Sequence, residues 1–212
     1  STLKMMEGAI YHILRRHHGV EDPTFAQVRD YYMEKLHPDV LNLNDQEVYE
    51  NIFHPGKWAG VFQFTEHGAQ NFCTKAKPNS IIDISAITSI FRPGPLSAGV
   101  DADYIDAKEQ PHYVSYLSEE AREITEETFG FLIFQEQIAL LGHKLGGLTL
   151  DEGNLLRKVL TKKGTGKNSV KGKLHKKFIT GCVDKGIPRD AAQDLWDKFE
   201  FFSGYGFNKS HA

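Results

Sequence analysis

Apolar residues recur at helical spacing along most of the chain. One apolar stripe starts at Leu3 and stops at His18-Gly19, and a second runs over 25–36 and stops before Pro38. The stretch 81–91 has apolar residues at Ile81, Ile84, Ile87, Ile90 and Phe91, as expected of a helix buried in a core. Further helices are predicted at 44–53, from Thr65 onward, at 131–145, from Thr149 through Leu156, at 170–185 and at 188–202. The pattern therefore predicts a mainly α fold.

Local signals mark the ends of several of these helices. Thr149 followed by Glu152 has the form of a capping box. Pro93 and Pro95 end the apolar helix, because proline lacks a backbone donor and disfavours helix in the residue before it. The segment 60–64 is too short and too alternating for a helix, so it predicts a strand or an extended turn. We expect about eight or nine helices with at most short β segments.

The composition is that of an ordinary globular protein. The chain has 212 residues, of which 40% are hydrophobic and 25% charged. No apolar run approaches the roughly 18 residues of a membrane span, and the N-terminal residues do not resemble a signal peptide. We therefore expect a soluble, cytoplasmic protein without membrane contact. Cys73 and Cys182 are far apart and lack metal-ligand spacing, so both are interpreted as buried thiols.

Charge is unevenly distributed along the chain. The formal net charge of −3 argues against nucleic-acid binding through the average field. Between Arg157 and Lys177, however, there are nine Lys or Arg residues and no Asp or Glu, whereas 118–128 is strongly acidic. Such a basic block is usually a solvated face or loop, and the alternative is a surface for an anionic ligand.

Two sequence patterns resemble functional motifs but fit them poorly. The Gly164–Lys167 loop lacks the P-loop spacing, since Thr161 and Asn168 stand where the motif needs Gly and Ser or Thr. Asp101 and Asp103 resemble a pair of metal ligands, yet they follow a Pro/Gly turn rather than a strand. Acids that complement the dipole at a helix N-terminus are the better interpretation.

Two other stretches combine constrained backbone with ligand-binding side chains. Arg92 lies between the apolar helix and a stiff Pro-Gly-Pro turn, so its guanidinium suits a phosphate. The alternative is an arginine that caps the carbonyls of the helix. The segment 204–211 joins glycines to Tyr, Phe, Lys and His, a composition that can stack a base and contact phosphates. It is equally consistent with a helix C-cap turn followed by a new helix.

These stretches coincide in order and spacing with motifs of one protein family. The sequence resembles the alpha subunit of bacterial DNA polymerase III, the C-family replicative polymerases, including phage versions. The stretches that carry the resemblance are Gly60–Glu66 with Gly68, Phe91–Leu96 with Gly99, Thr128–Gln137, Leu155–Lys158 through Lys162-Lys163, and Gly204–Ala212. They span roughly residues 58–212, and the Arg-Pro-Gly-Pro-Leu and Gly-Tyr-Gly-Phe-Asn-Lys-Ser-His pieces are the most specific.

The resemblance implies a fingers domain over 58–212, truncated at its C-terminal end, preceded by palm-to-fingers helices over 1–57. The implied function is that part of a DNA-directed DNA polymerase that binds the incoming dNTP and primer-template DNA during replication. In the family, three palm aspartates hold two Mg²⁺ ions, and those ligands lie outside this chain. We therefore expect the chain to bind no metal and to be inactive alone, with other replisome subunits contacting regions outside it.

Phosphoryl transfer depends on positioning and charge stabilisation, so we expect basic side chains around the β- and γ-phosphates. On the motifs of the family, the candidates for this role are Arg92, Arg157, Lys158, Lys162, Lys163, Lys209 and His211. Tyr205 is the candidate for packing against the base or sugar, with a simple core anchor as the alternative. The family often has a second arginine where this chain has Lys158, and lysine lacks the bidentate fork. A phage-like or divergent polymerase is the expected source.

Two other functions remain open on the sequence. A non-catalytic, helical nucleic-acid-binding module is supported by the basic block at 157–177. A purely structural interaction domain is also possible, with the acidic segment 118–128 as its contact surface.

Overall fold

The computed structural model describes residues 2–160 and 169–212, and these form helices joined by turns. The described residues contain no strand, and their single isolated bridge joins Phe134 to Phe207. The predicted mainly α fold is confirmed. The chain divides into two compact units, one ending at Asp45 and the other spanning Gln46–Ala212. No described helix combines the length and the apolar character that a membrane span requires.

The first unit is a pair of helices, α1 at Thr2–His17 and α2 at Phe25–Lys35. The capping box that starts α2 is reciprocal. Thr24 Oγ1 accepts a hydrogen bond from the N–H of Gln27, and Gln27 Oε1 accepts one from the N–H of Thr24 at 2.9 Å. The small core of this unit consists of Ile10, Leu14 and Val28, all of which lie on the predicted apolar stripes.

The second unit contains the remaining helices. They are α3 at Gln46–Val48, which continues into a π-helical turn at Tyr49–Phe53, α4 at His67–Ala76, α5 at Ile81–Ile90, α6 at Pro93–Ser97, α7 at Val100–Glu109, α8 at Glu119–Thr125, α9 at Gln135–Lys144, α10 at Leu150–Leu160, α11 at Val170–Asp184 and α12 at Arg189–Ser203. The capping box of α10 is present, since Thr149 and Glu152 exchange hydrogen bonds of 2.7 and 3.1 Å. Single 3₁₀ turns occur at Pro111–Tyr113 and Glu126–Thr128.

The structure decides between alternatives in one predicted element and shortens another. Of the strand and the extended turn predicted for 60–64, the segment forms turns, because Gly60 and Gln63 adopt left-handed φ values of 78° and 71°. The helix predicted at 131–145 begins only at Gln135. The preceding residues are held extended by the buried side chain of Gln137, whose Oε1 accepts the N–H groups of Ile133 and Phe134, both at 2.9 Å.

Two hydrophobic clusters form the core of the second unit. One surrounds α5 and includes Ile87, Tyr104 and Phe134, and the other lies among α9 to α12 around Phe178. Phe202, at the end of α12, packs against both clusters. The two clusters therefore meet just before the chain enters the 204–211 segment.

A buried carboxylate lies in the first turn of α5. Asp83 is only 3% exposed. Its carboxylate accepts hydrogen bonds from the Tyr104 hydroxyl at 3.1 Å and from the Asn79 N–H at 2.9 Å, and it forms an ion pair with Lys108. Since Tyr104 and Lys108 belong to α7, this buried network ties the N-terminus of α5 to α7.

The two cysteines are buried thiols, as predicted. Neither side chain is exposed to solvent, and no disulfide links them. Burial raises the pKa of the Cys73 thiol to about 12 and that of Cys182 to about 11, because a thiolate is poorly solvated in an apolar core. Both groups therefore stay protonated and unreactive near neutral pH.

A close contact between backbones joins α11 to the end of α9. A Cβ atom added to Gly181 would lie 2.1 Å from the carbonyl oxygen of Gly146, far inside van der Waals contact. We expect Gly181→Ala to lower the free energy of unfolding by about 1–3 kcal/mol, because the two backbones must separate. Urea denaturation of the chain measures this change.

Gly204→Ala is the matched control for this prediction. Gly204 has a φ of −72°, and a Cβ atom there would have no neighbour within 4 Å. Its substitution should change the free energy of unfolding by less than about 0.5 kcal/mol. If Gly181→Ala were stabilising, through the better helix propensity of alanine, the backbone contact would not constrain the packing.

Candidate phosphate-binding site

Arg92 lies at the junction of two helices. It follows the end of α5 and is the N-cap residue of α6, with extended backbone angles of −144° and 151°. Pro93 occupies the first position of α6, where proline is favoured because its missing donor is not needed. The predicted stiff turn is thus one short helical turn, and it sets the direction of the exposed Arg92 side chain.

The guanidinium of Arg92 faces a groove of about 300 Å³. Its Cζ atom lies 5.1 Å from the centre of the Phe207 ring, which is a cation–π contact. Among the described residues, no carboxylate lies within ion-pairing distance of Arg92, and no carbonyl accepts a hydrogen bond from its side chain. The described contacts therefore do not support the helix-capping alternative, and the guanidinium presents its N–H donors to the groove.

The segment after α12 is anchored by backbone hydrogen bonds. Gly204 is the C-cap of α12. The N–H of Phe207 donates to the carbonyl of Ile133 at 3.0 Å, and the carbonyl of Phe207 accepts from the N–H of Gln135 at 2.9 Å. The predicted helix C-cap is confirmed at Gly204. The new helix predicted after it is absent from the described residues that follow, where Phe207 pairs with Phe134 through an isolated β-bridge. This bridge is what brings the Phe207 ring to Arg92.

Lys209 lies in the same segment and is paired with a carboxylate. Its Nζ donates to both oxygens of Glu127, at 2.6 and 2.7 Å, and lies 5.5 Å from the centre of the Phe134 ring. The N–H of Lys209 donates to Glu136 Oε2 at 3.1 Å. Both the backbone and the ammonium group of Lys209 are therefore held by acidic side chains.

Glu136 also faces Arg157. An Nη1 atom of Arg157, a half-buried residue of α10, lies 3.9 Å from Glu136 Oε1. Glu136 thus stands between Lys209 and Arg157 and brings two predicted site residues together. Sequence reasoning assigned no role to Glu127 or Glu136. The available signal was that Glu136 falls within the 128–137 motif and Glu127 directly precedes it.

Tyr205 packs against the turn that follows Arg92. A Cβ atom on Gly94 would lie 2.0 Å from the Tyr205 ring, so only glycine permits this contact. The Phe201 ring meets Tyr205 edge to face, with 5.8 Å between ring centres. In these contacts Tyr205 acts as a packing anchor that supports α6. The proposed contact of Tyr205 with a base or sugar stays a prediction.

The other predicted residues have different surroundings. His211 is exposed and lines the groove of Arg92, with its ring 5.6 Å from that of Phe207. Lys158 is exposed on α10, next to Arg157 in sequence. Lys162 and Lys163, like the loop 164–167, fall outside the described residues.

The acidic residues near the site do not form a metal centre. No group of three or more His, Cys, Asp or Glu side chains that could hold a metal ion occurs within 2–160 and 169–212. Asp101 and Asp103 lie in the first turn of α7, where they complement the helix dipole as interpreted from the sequence. The expectation that the chain binds no metal stays a prediction.

Comparison with known sequences assigns the family. The profile of the bacterial DNA polymerase III alpha subunit finger domain matches residues 19–186, which is more than three quarters of the chain. The chain belongs to this finger domain family. The resemblance found in the sequence is therefore confirmed. The profile begins inside the first compact unit, and the predicted division after residue 57 stays a prediction.

Several curated relatives support the same family. The chain is 37% identical over 172 residues to the DNA polymerase III subunit alpha of Aquifex aeolicus, covering 81% of this chain and 14% of the relative. It is 34% identical over 186 residues to that of Halalkalibacterium halodurans, with coverages of 88% and 16%. For Borreliella burgdorferi the identity is 31% over 197 residues, with coverages of 92% and 17%. The chain thus spans about one sixth of the length of these relatives.

Proposed function

We propose that the chain is the fingers part of a DNA-directed DNA polymerase and that the Arg92 groove binds the triphosphate of an incoming dNTP. The observation that carries this proposal is the exposed Arg92 guanidinium, which has no carboxylate partner among the described residues. In a family of polymerase finger domains, a dNTP is the anionic ligand that such a group would meet. Primer-template DNA is the second proposed ligand.

Arg92 has the chemistry that a triphosphate requires. A guanidinium stays charged at any physiological pH and offers a planar fork of donors that matches two phosphate oxygens. The Phe207 ring lies against the guanidinium, and this contact limits the rotamers that Arg92 can adopt. His211, on the same groove, can donate a further hydrogen bond to the phosphates.

Lys209 would contribute a second positive charge, although Glu127 holds its ammonium group. A lysine ammonium has three donors, and the two hydrogen bonds that Lys209 Nζ donates both go to the Glu127 carboxylate. About a third of each side chain is exposed, so the pair lies near the surface, where ion pairs are worth about 0–1 kcal/mol. A triphosphate can therefore compete with Glu127 for the ammonium at little cost.

These residues would bind and orient the nucleotide rather than perform the chemistry. Phosphoryl transfer depends mainly on positioning and charge stabilisation, which fixed basic groups provide. Mg²⁺ would neutralise the developing charge on the phosphates, held by aspartates outside this chain. The described residues contain no cluster that fits such ions. We therefore propose that the chain alone does not extend a primer.

Glu127→Gln tests whether Lys209 binds phosphate. If a triphosphate displaces Glu127, removing its charge should tighten dATP binding to the chain by up to about fivefold, the equivalent of one surface ion pair. Calorimetric titration with dATP, and in parallel with deoxyadenosine, measures the effect. Deoxyadenosine affinity should not change, since it carries no phosphate.

Glu126→Gln is the matched control, because the Glu126 carboxylate pairs with Arg122 at 2.8 Å and not with Lys209. It changes the net charge by the same amount and should leave dATP affinity nearly unaltered. If Glu127→Gln and Glu126→Gln raised the affinity for dATP equally, the change would be due to net charge and not to release of Lys209. Deoxyadenosine binding as tight as that of dATP would refute the triphosphate site altogether.

A further inference from the structure

A second basic groove lies on α11, and none of the residues that line it is one assigned to the triphosphate. It has a volume of about 490 Å³. Lys173, Lys176 and Lys177 line it, and their spacing of three and four residues places them on one face of the helix. None of these lysines was among the predicted site residues.

Glycine backbone forms part of this groove. Gly146 and Gly147 follow α9, and both line the groove together with Gly181 of α11. The contact between Gly181 and the carbonyl of Gly146 leaves no room for side chains between the two backbones. Gly146 and Gly181 are therefore required by the packing of α11 against the end of α9, and the three glycines leave this part of the groove wall without side chains.

The lysines of the groove differ in their partners. Lys177 binds Glu152, with distances of 2.6 and 2.8 Å. Lys173 and Lys176 are exposed, and no carboxylate among residues 2–160 and 169–212 lies within ion-pairing distance of either. Among the described residues that line the groove, Asp184 is the one acidic residue, and it lies about 12 Å along the helix from Lys176. The groove is therefore positive at its lysine end.

We propose that this groove, formed by Lys173, Lys176, Lys177 and the three glycines, binds the phosphate backbone of DNA. This inference rests on the proposed function in one respect, namely that DNA is the polyanion that binds in the groove. Lys173 and Lys177 are separated by about 6 Å along the helix, and a DNA strand presents one phosphate for about each 3.4 Å of its axis. The lysines can thus reach neighbouring phosphates of one strand.

Recognition in this groove would not depend on base sequence. Lysine ammonium groups act as point charges that contact phosphates and position the nucleic acid, whereas base-edge contacts read sequence. Such contacts release counterions, so the affinity depends steeply on salt. The salt dependence therefore measures how many phosphates the groove neutralises.

The test compares the unchanged chain with the double variant Lys173→Ala/Lys176→Ala in binding to a labelled DNA duplex, by fluorescence anisotropy at several salt concentrations. Each lost phosphate contact lowers the slope of log K against log salt by about 0.9, so the double variant should lose about 2 units of slope. Between about 50 and 200 mM salt, the affinity of the unchanged chain should then fall roughly tenfold more than that of the variant.

Lys171→Ala is the matched control on the same helix. Its ammonium is 2.9 Å from Glu200, and its side chain is only 18% exposed, so it does not face a ligand. It removes one positive charge but should leave the salt slope unchanged. A loss of slope in Lys171→Ala that is half as large as the loss in the double variant would attribute the effect to net charge and overturn the inference.

Other outcomes also decide the matter. An unchanged slope in the double variant, or no DNA binding by the unchanged chain at the lowest salt, would overturn the groove. Displacement of the duplex by polyglutamate at equal charge concentration would overturn DNA as the ligand. Binding of dATP to the double variant distinguishes the two proposals. If the double variant still binds dATP and the salt slope of its DNA binding is unchanged, only the DNA groove is wrong. If its salt slope is reduced but it no longer prefers dATP over deoxyadenosine, only the triphosphate site is wrong.

Discussion

Arg92→Ala, placed in a full-length polymerase that carries this segment, is expected to lower the catalytic efficiency for dNTP by roughly 10- to 150-fold. The range corresponds to the loss of one charge-assisted hydrogen bond to phosphate, worth about 1.5–3 kcal/mol. The affinity for primer-template DNA should change much less, because Arg92 faces the groove beside Phe207. Steady-state dNTP kinetics and DNA titrations at one fixed salt concentration measure both effects.

Two further variants sharpen this prediction. Arg92→Lys keeps the charge and loses the planar fork, so its efficiency should lie between those of the parent and the alanine variant. Lys171→Ala removes a positive charge that is paired with Glu200, and it should leave dNTP use unchanged. If Arg92→Ala preserved dNTP efficiency while DNA affinity collapsed, the groove would serve DNA and the triphosphate assignment would be wrong.

Lys108→Met is expected to lower the free energy of unfolding of the chain by about 3–5 kcal/mol. The side chain of Lys108 is 11% exposed and that of its partner Asp83 is 5% exposed, so the variant would leave a carboxylate buried without its counter-charge. Tyr104 and the N–H of Asn79 would still donate hydrogen bonds to Asp83, but neither carries a positive charge. Urea denaturation followed by circular dichroism measures the loss.

Lys75→Met is the control for burial and charge. Lys75 is exposed on α4, and no ion pair involves it among the described residues, so its substitution should cost less than about 0.5 kcal/mol. Adding Asp83→Asn to Lys108→Met should restore part of the stability, because the buried charge is then gone. A loss below about 1 kcal/mol in Lys108→Met would mean that water reaches Asp83 when Lys108 is removed.

The sequence predicted those helices whose signals are local. The capping residues of α10 and the prolines after α5 lie within a few residues of the helix ends that they specify. The same approach failed at 131–134, where apolar residues continue the helical pattern. There the backbone is held both by the side chain of Gln137 and by the backbone of Phe207. Phe207 is more than 70 residues away in sequence, and no local pattern contains that partner.

The candidate site was predicted only in part for the same reason. The constrained turn and the family motifs predicted that Arg92 and Lys209 bind phosphate. Their partners could not be read from spacing, because Glu127 and Glu136 lie 82 and 73 residues before Lys209. Tyr205 shows a similar limit, since the bare Gly94 surface on which it packs lies in another motif.

The sequence by itself determined the mainly α class and the family, and it predicted a set of basic residues that a phosphate could use. Those properties follow from local periodicity and from short motifs, which need no knowledge of distant contacts. Only the tertiary structure decided how each cation is engaged: Arg92 faces an open groove, Lys209 is held by Glu127, and Lys173 and Lys176 flank a glycine-lined groove. Electrostatic energy depends on the distance between charges and on their burial, and folding sets both by joining residues that are remote in the chain.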